Sequence, residues 1–356
     1  MQSQWRLLGT AGFSPGYVFL RGTSFAFAFD GTAYVAFGGT VQSYNDGKWT
    51  KIGANTINTT DVMSLAFDSI TRDLIKYPVP IVAYSDANAG GKATVRMLQL
   101  GNPANNWILV GNAGFSRGYA YDPSLAINSK TKELYVAYVD LDNGSKVSVQ
   151  NFFLNGGTGW GFVGAVGFSL QPADYVSIAL DSAGTPYVAC SEGSGRRATV
   201  RKFVGGTWIE VGNPLFSAGP AVYLSLALDS TGTPWVAYQD EALGGKATVQ
   251  KFVSASGGWT VVGNAGFSAG QASSTSLALD STGTPFVAYQ DFTVPSNSGK
   301  ATVQTLVNGV WTVVGTAGFS AGQAYSTSLA FDRNGRPNVA YSDGNAGGKA
   351  TVQYYS

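Results

Sequence analysis

Histidine is absent from the 356 residues. That removes the imidazole general base, the Ser-His-Asp and Cys-His arrangements and every His-ligated metal centre. Cysteine is almost as scarce: Cys190 stands alone in an apolar run, with no partner for an internal disulfide or a thiolate cage, and reads as a small buried residue. Charge is sparse as well. With 22 Lys+Arg against 21 Asp+Glu and 12% charged residues, no basic stripe can follow a phosphate backbone, so nucleic acid is not an expected partner. No apolar run approaches the roughly 18 residues of a membrane span, and MQSQWRLLG does not read as a signal peptide; a leader or flanking domain, if the protein has one, is expected outside this stretch. Any catalysis falls to carboxylates, Tyr, Lys or Arg, and neither a cofactor nor a metal is expected.

What the chain has instead is repetition. Trp, three residues, then Gly recurs seven times, at Trp5, Trp49, Trp107, Trp160, Trp208, Trp259 and Trp311. The spacing, 44 to 58 residues, signals a propeller or a solenoid. Each copy continues, with lapses, through a G-F-S-x-G loop, S-L-A-x-D, a D-x-x-G-x-P turn, V-A-Y-x-D, a Gly-rich stretch and K-A-T-V-Q. Within a copy the apolar residues alternate at period two over four short runs, as in 276–279, 286–289, 301–304 and 311–314, which are strands. Turns such as Asp280-Ser281-Thr282-Gly283 suit tight hairpins.

Four antiparallel strands per copy make a blade. The innermost strand alternates small residues (Ser225, Ala227) with large ones (Leu226, Leu228), so neighbouring blades can interdigitate around a ring. The order of elements adds a prediction: the chain opens on a Trp strand from Trp5 and ends on a third strand around Val352 that lacks its Trp successor. The N-terminal strand should therefore complete the last blade, offsetting a loop-closure cost on the order of 5 kcal/mol. The expectation is an all-β, seven-bladed β-propeller forming one domain over residues 1–356.

The stretch from Ser225 to Tyr238, S-L-A-x-D-x-x-G-x-P-x-V-A-Y, resembles the repeat of NHL-type and related bacterial β-propeller repeat proteins. The resemblance runs through all seven copies and implies a binding platform with a ligand that varies between members. The Trp-x-x-x-Gly strand and the G-F-S loop depart from that pattern, so no binding residue carries across. Asp229 to Trp235 also resembles a sialidase Asp box, but its spacing is one residue too long and the arginines of a sialidase pocket are missing.

Six copies place an acid at the end of the second strand and a base at the start of the third: Asp86 with Lys92, Asp140 with Lys146, Glu192 with Arg197, Asp240 with Lys246, Asp291 with Lys300 and Asp343 with Lys349. Cross-strand ion pairs explain these at under about 1 kcal/mol each. Asp30, Asp68, Asp181, Asp229, Asp280 and Asp332 are expected to accept turn amides. A calcium loop at Asp140-Leu141-Asp142-Asn143-Gly144 lacks its later ligands. Asn58 and Asn143 head glycosylation acceptors, and the long hairpin from Asp68 to Pro80, with Arg72, Asp73, Lys76 and Tyr77, points to domain docking on the opposite face.

The remaining acids are asymmetric. Asp61 and Asp174 each lie three residues before the Ser that opens an innermost strand, and Asp122 lies two before. The loops leading into innermost strands share the face on which propellers usually bind, so these acids form one sector of that rim. Arg21 sits in the one enlarged lead-in loop, and Tyr17, Tyr119, Tyr121, Tyr175, Tyr223 and Tyr325 occupy comparable positions. Tyr faces stack on sugars or fill a partner's groove while carboxylates accept hydroxyls or a cation. The sequence thus favours a non-catalytic, lectin-like recognition module for carbohydrate or protein, secreted or at the cell surface. The alternatives are a scaffold propeller in a surface assembly and, third, a glycosidase using two of Asp61, Asp122 and Asp174.

Overall fold

A computed structural model describes residues 3–17, 22–72, 75–100, 106–293 and 298–356. The period-two segments form seven four-stranded antiparallel sheets set in a ring, and the only helical segments among the described residues are three-residue 3-10 turns. Blades are numbered by their innermost strands: Ser24–Phe27, Thr59–Arg72, Ala120–Asn128, Ala173–Leu180, Ala221–Leu228, Ala272–Leu279 and Ala324–Phe331. Blade 7 closes as expected. Its outer strand is Trp5–Leu7, paired with Lys349–Tyr355 so that Trp5 faces Tyr355 and Leu7 faces Gln353. Backbone bonds on either side, Leu8 N to Val352 O at 2.9 Å and Gln4 N to Ser356 O at 2.8 Å, extend the pairing.

Three repeated ties account for most of what the copies share. The first is a circuit of serines. Each Ser near the start of an innermost strand accepts, through Oγ, an N–H from the next blade: Ser24 from Leu65, Ser64 from Leu125, Ser124 from Ile178, Ser177 from Leu226, Ser225 from Leu277, Ser276 from Leu329, and Ser328 from Phe25, all at 2.9 to 3.2 Å. Innermost strands are sheet edges, and this circuit satisfies amides that no fifth strand pairs.

The second tie is the tryptophan. Each indole Nε1 donates to the carbonyl just before the Gly of the preceding copy: Trp49 to Leu8, Trp107 to Ile52, Trp160 to Val110, Trp208 to Val163, Trp259 to Val211, Trp311 to Val262 and Trp5 to Val314, at 2.7 to 3.3 Å. The Gly is required because the ring crosses over it. A Cβ on Gly53, whose φ is +78°, would meet Trp107 Nε1 at 2.2 Å. The third tie explains G-F-S: the Phe stacks flat on the next Trp, with centroids 3.9 to 4.4 Å apart in six of the seven places. Where the Phe is missing, Asn55 clamps Trp107 instead, accepting its N–H at 2.8 Å and donating to its carbonyl at 3.0 Å.

The core lies between blades. Ile81 and Val95 of blade 2, for example, pack with Leu125, Val136 and Phe152 of blade 3. In the second strands Tyr84, Tyr138, Tyr238, Tyr289 and Tyr341 are almost fully buried, each bonded through its hydroxyl to a Gln or Arg of the third strand. Blade 4 replaces this pair. Cys190 stands in the Tyr position, Arg201 stands where most copies have Gln, and its guanidinium reaches Glu192 at 2.8 Å and Glu210 at 3.1 Å. Burial pushes the Cys190 thiol up to about 12, so it is a packing residue.

Two expectations are corrected. The six acid and base positions do face each other across the second and third strands, yet none of the six is among the ion pairs found between described residues. The acids turn inward. Asp86, Asp240 and Asp343 accept the amide two residues on, capping a 3-10 turn, and Asp140, Asp240, Asp291 and Asp343 accept a Ser or Thr hydroxyl from the third strand. Those fixed dipoles need no long Lys chain to be ordered. Asp68, in turn, is not a turn residue. The strands Thr59–Arg72 and Ile75–Asp86 stay paired beyond it, and its carboxylate takes the Lys132 ammonium of blade 3. Asp30, Asp181, Asp229, Asp280 and Asp332 do accept turn amides.

Candidate functional site

A bulge shapes the rim of the central channel. In blades 3 to 7 the pairing of the innermost strand slips just before its Ser. The residue two before the Ser then takes a left-handed backbone: Asp122 (φ 55°), Tyr175 (53°), Tyr223 (52°), Ser274 (52°) and Ser326 (55°). Asp is among the few side chains that visit that conformation readily, whereas other L residues pay about 1–2 kcal/mol there, a bulky one such as Tyr included. Two tyrosines therefore occupy positions that local energetics would give to a smaller residue.

These five residues line one cavity of about 210 Å³ at the channel mouth, together with Thr23, Val62, Thr275 and Thr327. Asp122, Tyr175 and Tyr223 come from consecutive blades and form one arc; hydroxyl residues of blades 6 and 7 form the other. The Tyr175 and Tyr223 rings meet at 5.2 Å between centroids and 57° between planes, making an aromatic corner. Thr275 Oγ1 donates to Tyr223 O, and Thr327 Oγ1 to Ser274 O, tying the arc to its neighbours.

A second cavity of about 160 Å³ adjoins the first through Tyr175 and is lined also by Tyr121, Asp174 and Arg196. Asp174 pairs with Arg196 at 3.1 Å, with both side chains more than one-third exposed. The register thus matters more than residue type. Positions two before the Ser face the channel, and Tyr121 and Asp174, three before, face the adjoining hollow.

The remaining candidates are scattered. Tyr17 and Tyr119 lie on turn glycines of the preceding blade; a Cβ on Gly91 or Gly348 would meet the ring at 2.2 Å. The Tyr325 hydroxyl donates to the Gln323 side chain. Arg21 falls outside the described residues, and Asp61 is placed only by its backbone, in the strand Thr59–Arg72. Sequence reading missed Ser274, Ser326 and Arg196. Counting two residues back from every Ser would have found the serines, whereas Arg196 belongs to a turn far from that motif.

A glycosidase needs two carboxyls flanking one bond. Asp122 and Asp174 line different cavities, and Asp174 is already paired with a guanidinium. Among the described residues no group of three or more His, Cys, Asp or Glu side chains could hold a metal ion. In the suspected calcium loop the Asp140 carboxylate turns to Ser148 while Asp142 packs over Gly118.

No protein family pattern matches the chain, and no curated protein matches it. Solved structures do. The chain is similar to a GH74 xyloglucanase from Xanthomonas campestris (TM-score 0.59, 15% identity), covering 96% of this chain and 54% of that one, so it spans about half the length of that enzyme. It is similar to AofleA from Arthrobotrys oligospora (0.53, 13%; 88% and 90% covered). A protein of unknown function from Dyadobacter fermentans is a third (0.52, 13%; 99% and 97% covered). At these identities the likeness shows the propeller fold alone.

Proposed function

We propose that the chain is a single-domain, non-catalytic recognition module that binds carbohydrate through the channel mouth on its lead-in face, as a secreted or surface-exposed protein akin to the NHL-like propeller platforms. The observation that carries this reading is the pair Tyr175 and Tyr223, held in left-handed backbone at the rim with their rings forming a corner. An aromatic corner offers a face to the C–H side of a pyranose, while Asp122 on one side and Ser274 and Ser326 on the other offer groups for its hydroxyls. The adjoining hollow at Tyr121, Asp174 and Arg196 would take a second sugar unit or a substituent.

The test is a glycan array followed by calorimetry on the best ligand. Tyr175→Ala and Tyr223→Ala should each weaken binding at least about tenfold, as expected for a buried aromatic anchor, with no hydrolysis of the ligand. Absence of any glycan binding overturns the carbohydrate reading in favour of a protein ligand or a scaffold. The scaffold reading has its own support, because the shared motifs are spent on ties between blades.

A further inference from the structure

The last two copies are near-duplicates, and the way they differ is informative. Between 259–291 and 311–343 they differ at eight positions. Four of the eight cluster on one turn, where Ser281, Thr282, Thr284 and Phe286 of blade 6 become Arg333, Asn334, Arg336 and Asn338 of blade 7. All four replacements line a single cavity, on the face opposite the channel mouth just described, where the turn of blade 7 meets blade 1. The cavity measures about 360 Å³, against about 270 Å³ for the corresponding space between blades 3 and 4.

Its chemistry is specific. Arg336 Nε bonds Asp332 at 2.6 Å, and the guanidinium lies over the Tyr354 ring at 4.8 Å. Arg333 donates from one Nη to Phe29 O across the junction, its chain lying over Gly31. Among the described residues these bonds leave both Arg336 Nη groups, and the remaining Nε and Nη1 of Arg333, unspent. Both Asp332 oxygens are engaged, one by the amides of Asn334 and Arg336 and the other by Arg336 Nε. Asp30, across the cavity, accepts one amide at 2.9 Å and keeps an oxygen for a hydroxyl. Phe27 and Tyr44 complete the wall.

We infer that this cavity is a second binding site, for a sugar acid: Arg333 and Arg336 take the carboxylate, Asp30 takes a ring hydroxyl, and Tyr44 with Phe27 covers the apolar face. A bare inorganic anion would leave Asp30 facing it with nothing to accept. A neutral sugar would leave the two guanidinium forks unused. The site is separate from the channel mouth and does not depend on the function proposed for that face.

Calorimetry with tri-galacturonate, its methyl ester, malonate and inorganic sulfate tests the assignment. Tri-galacturonate should bind at least tenfold tighter than each of the other three, and binding should weaken with salt. Arg333→Gln, on an exposed residue, should lower affinity several-fold. The quadruple return to the blade 6 residues (Arg333→Ser, Asn334→Thr, Arg336→Thr, Asn338→Phe) should abolish binding in a turn whose sister copy already carries that sequence. Tyr175→Ala should leave it unchanged. Equal binding of the methyl ester, equal binding of sulfate, no effect of the arginine changes, loss on Tyr175→Ala, or no binding at all would each overturn the inference.

Discussion

Buried acids at the ends of the second strands show how position governs a residue's electrostatics. Asp140 is fully buried; one oxygen accepts from Ser148 at 3.2 Å, and the other has no hydrogen-bond partner among the described residues. Burial raises its carboxyl above the ordinary aspartate value, with the Ser148 hydroxyl only partly opposing the rise. The surface-turn acids go the other way. For Asp229 burial also pushes upward, but the Thr231 hydroxyl, the Trp235 indole and the turn amides outweigh it and the carboxyl ends lowered. A group raised on folding favours the fold below its unfolded value, near about 4, and that contribution is lost as pH rises through its folded value; a lowered group contributes above its unfolded value and loses that as pH falls. Asp140→Asn removes only the former. Its urea midpoint relative to the parent should therefore be higher at pH 7 than near pH 4, and a constant offset across that range would contradict the assignment.

At the scale of the repeated element, Trp-x-x-x-Gly and G-F-S work as a two-part joint. Trp259→Phe keeps a ring against Phe216, at 4.0 Å in the parent, but orphans the Val211 carbonyl that Nε1 serves at 2.8 Å. A loss of about 1–3 kcal/mol is expected in urea unfolding. Trp107→Phe should cost less of this hydrogen-bond contribution, because that indole bond is 3.3 Å long and the Asn55 clamp on its backbone survives. The blades and their closure were legible from the sequence because period-two runs and the recurring Trp-x-x-x-Gly motif are local signals. Direction of side chains was not. The Asp86 and Lys92 positions face each other as the spacing implied, yet the acid's choice of an amide over a lysine depends on the 3-10 turn that follows it and presents Asn88 N–H. The channel rim was half legible: Asp122, Tyr175 and Tyr223 could be named, but a left-handed bulge decides that they face the lumen while Tyr121 and Asp174 face the next hollow.

For the whole molecule, the blade 7 pairing holds the ring as a circuit. Removing residues 1–8 takes away Trp5, its stack on Phe319 at 3.9 Å, its bond to Val314 at 2.8 Å and the strand covering Lys349–Tyr355. The truncated chain should melt well below the parent and self-associate through the bared edge, which differential scanning calorimetry and light scattering would register. A truncated monomer with parental stability would contradict this account. The serine circuit sharpens the expectation, since each Oγ serves an amide of the neighbouring blade and no blade satisfies its own inner edge.

Splicing the first residues to the last also sets a clock on biogenesis. A ribosome adds about 5–20 residues per second, so Trp5 emerges roughly 20–70 s before Tyr355, its register partner, has been made. Through that interval blades 1 to 6 can stack in order as they appear, but the opening segment has no sheet to join and its indole stays wet. The nascent chain is thus an open arc until the strand Lys349–Tyr355 has been made, with one loose arm and an uncapped inner row of amides. Chaperone contact with this arm should be strongest before the strand Lys349–Tyr355 emerges and vanish once that strand has paired with it.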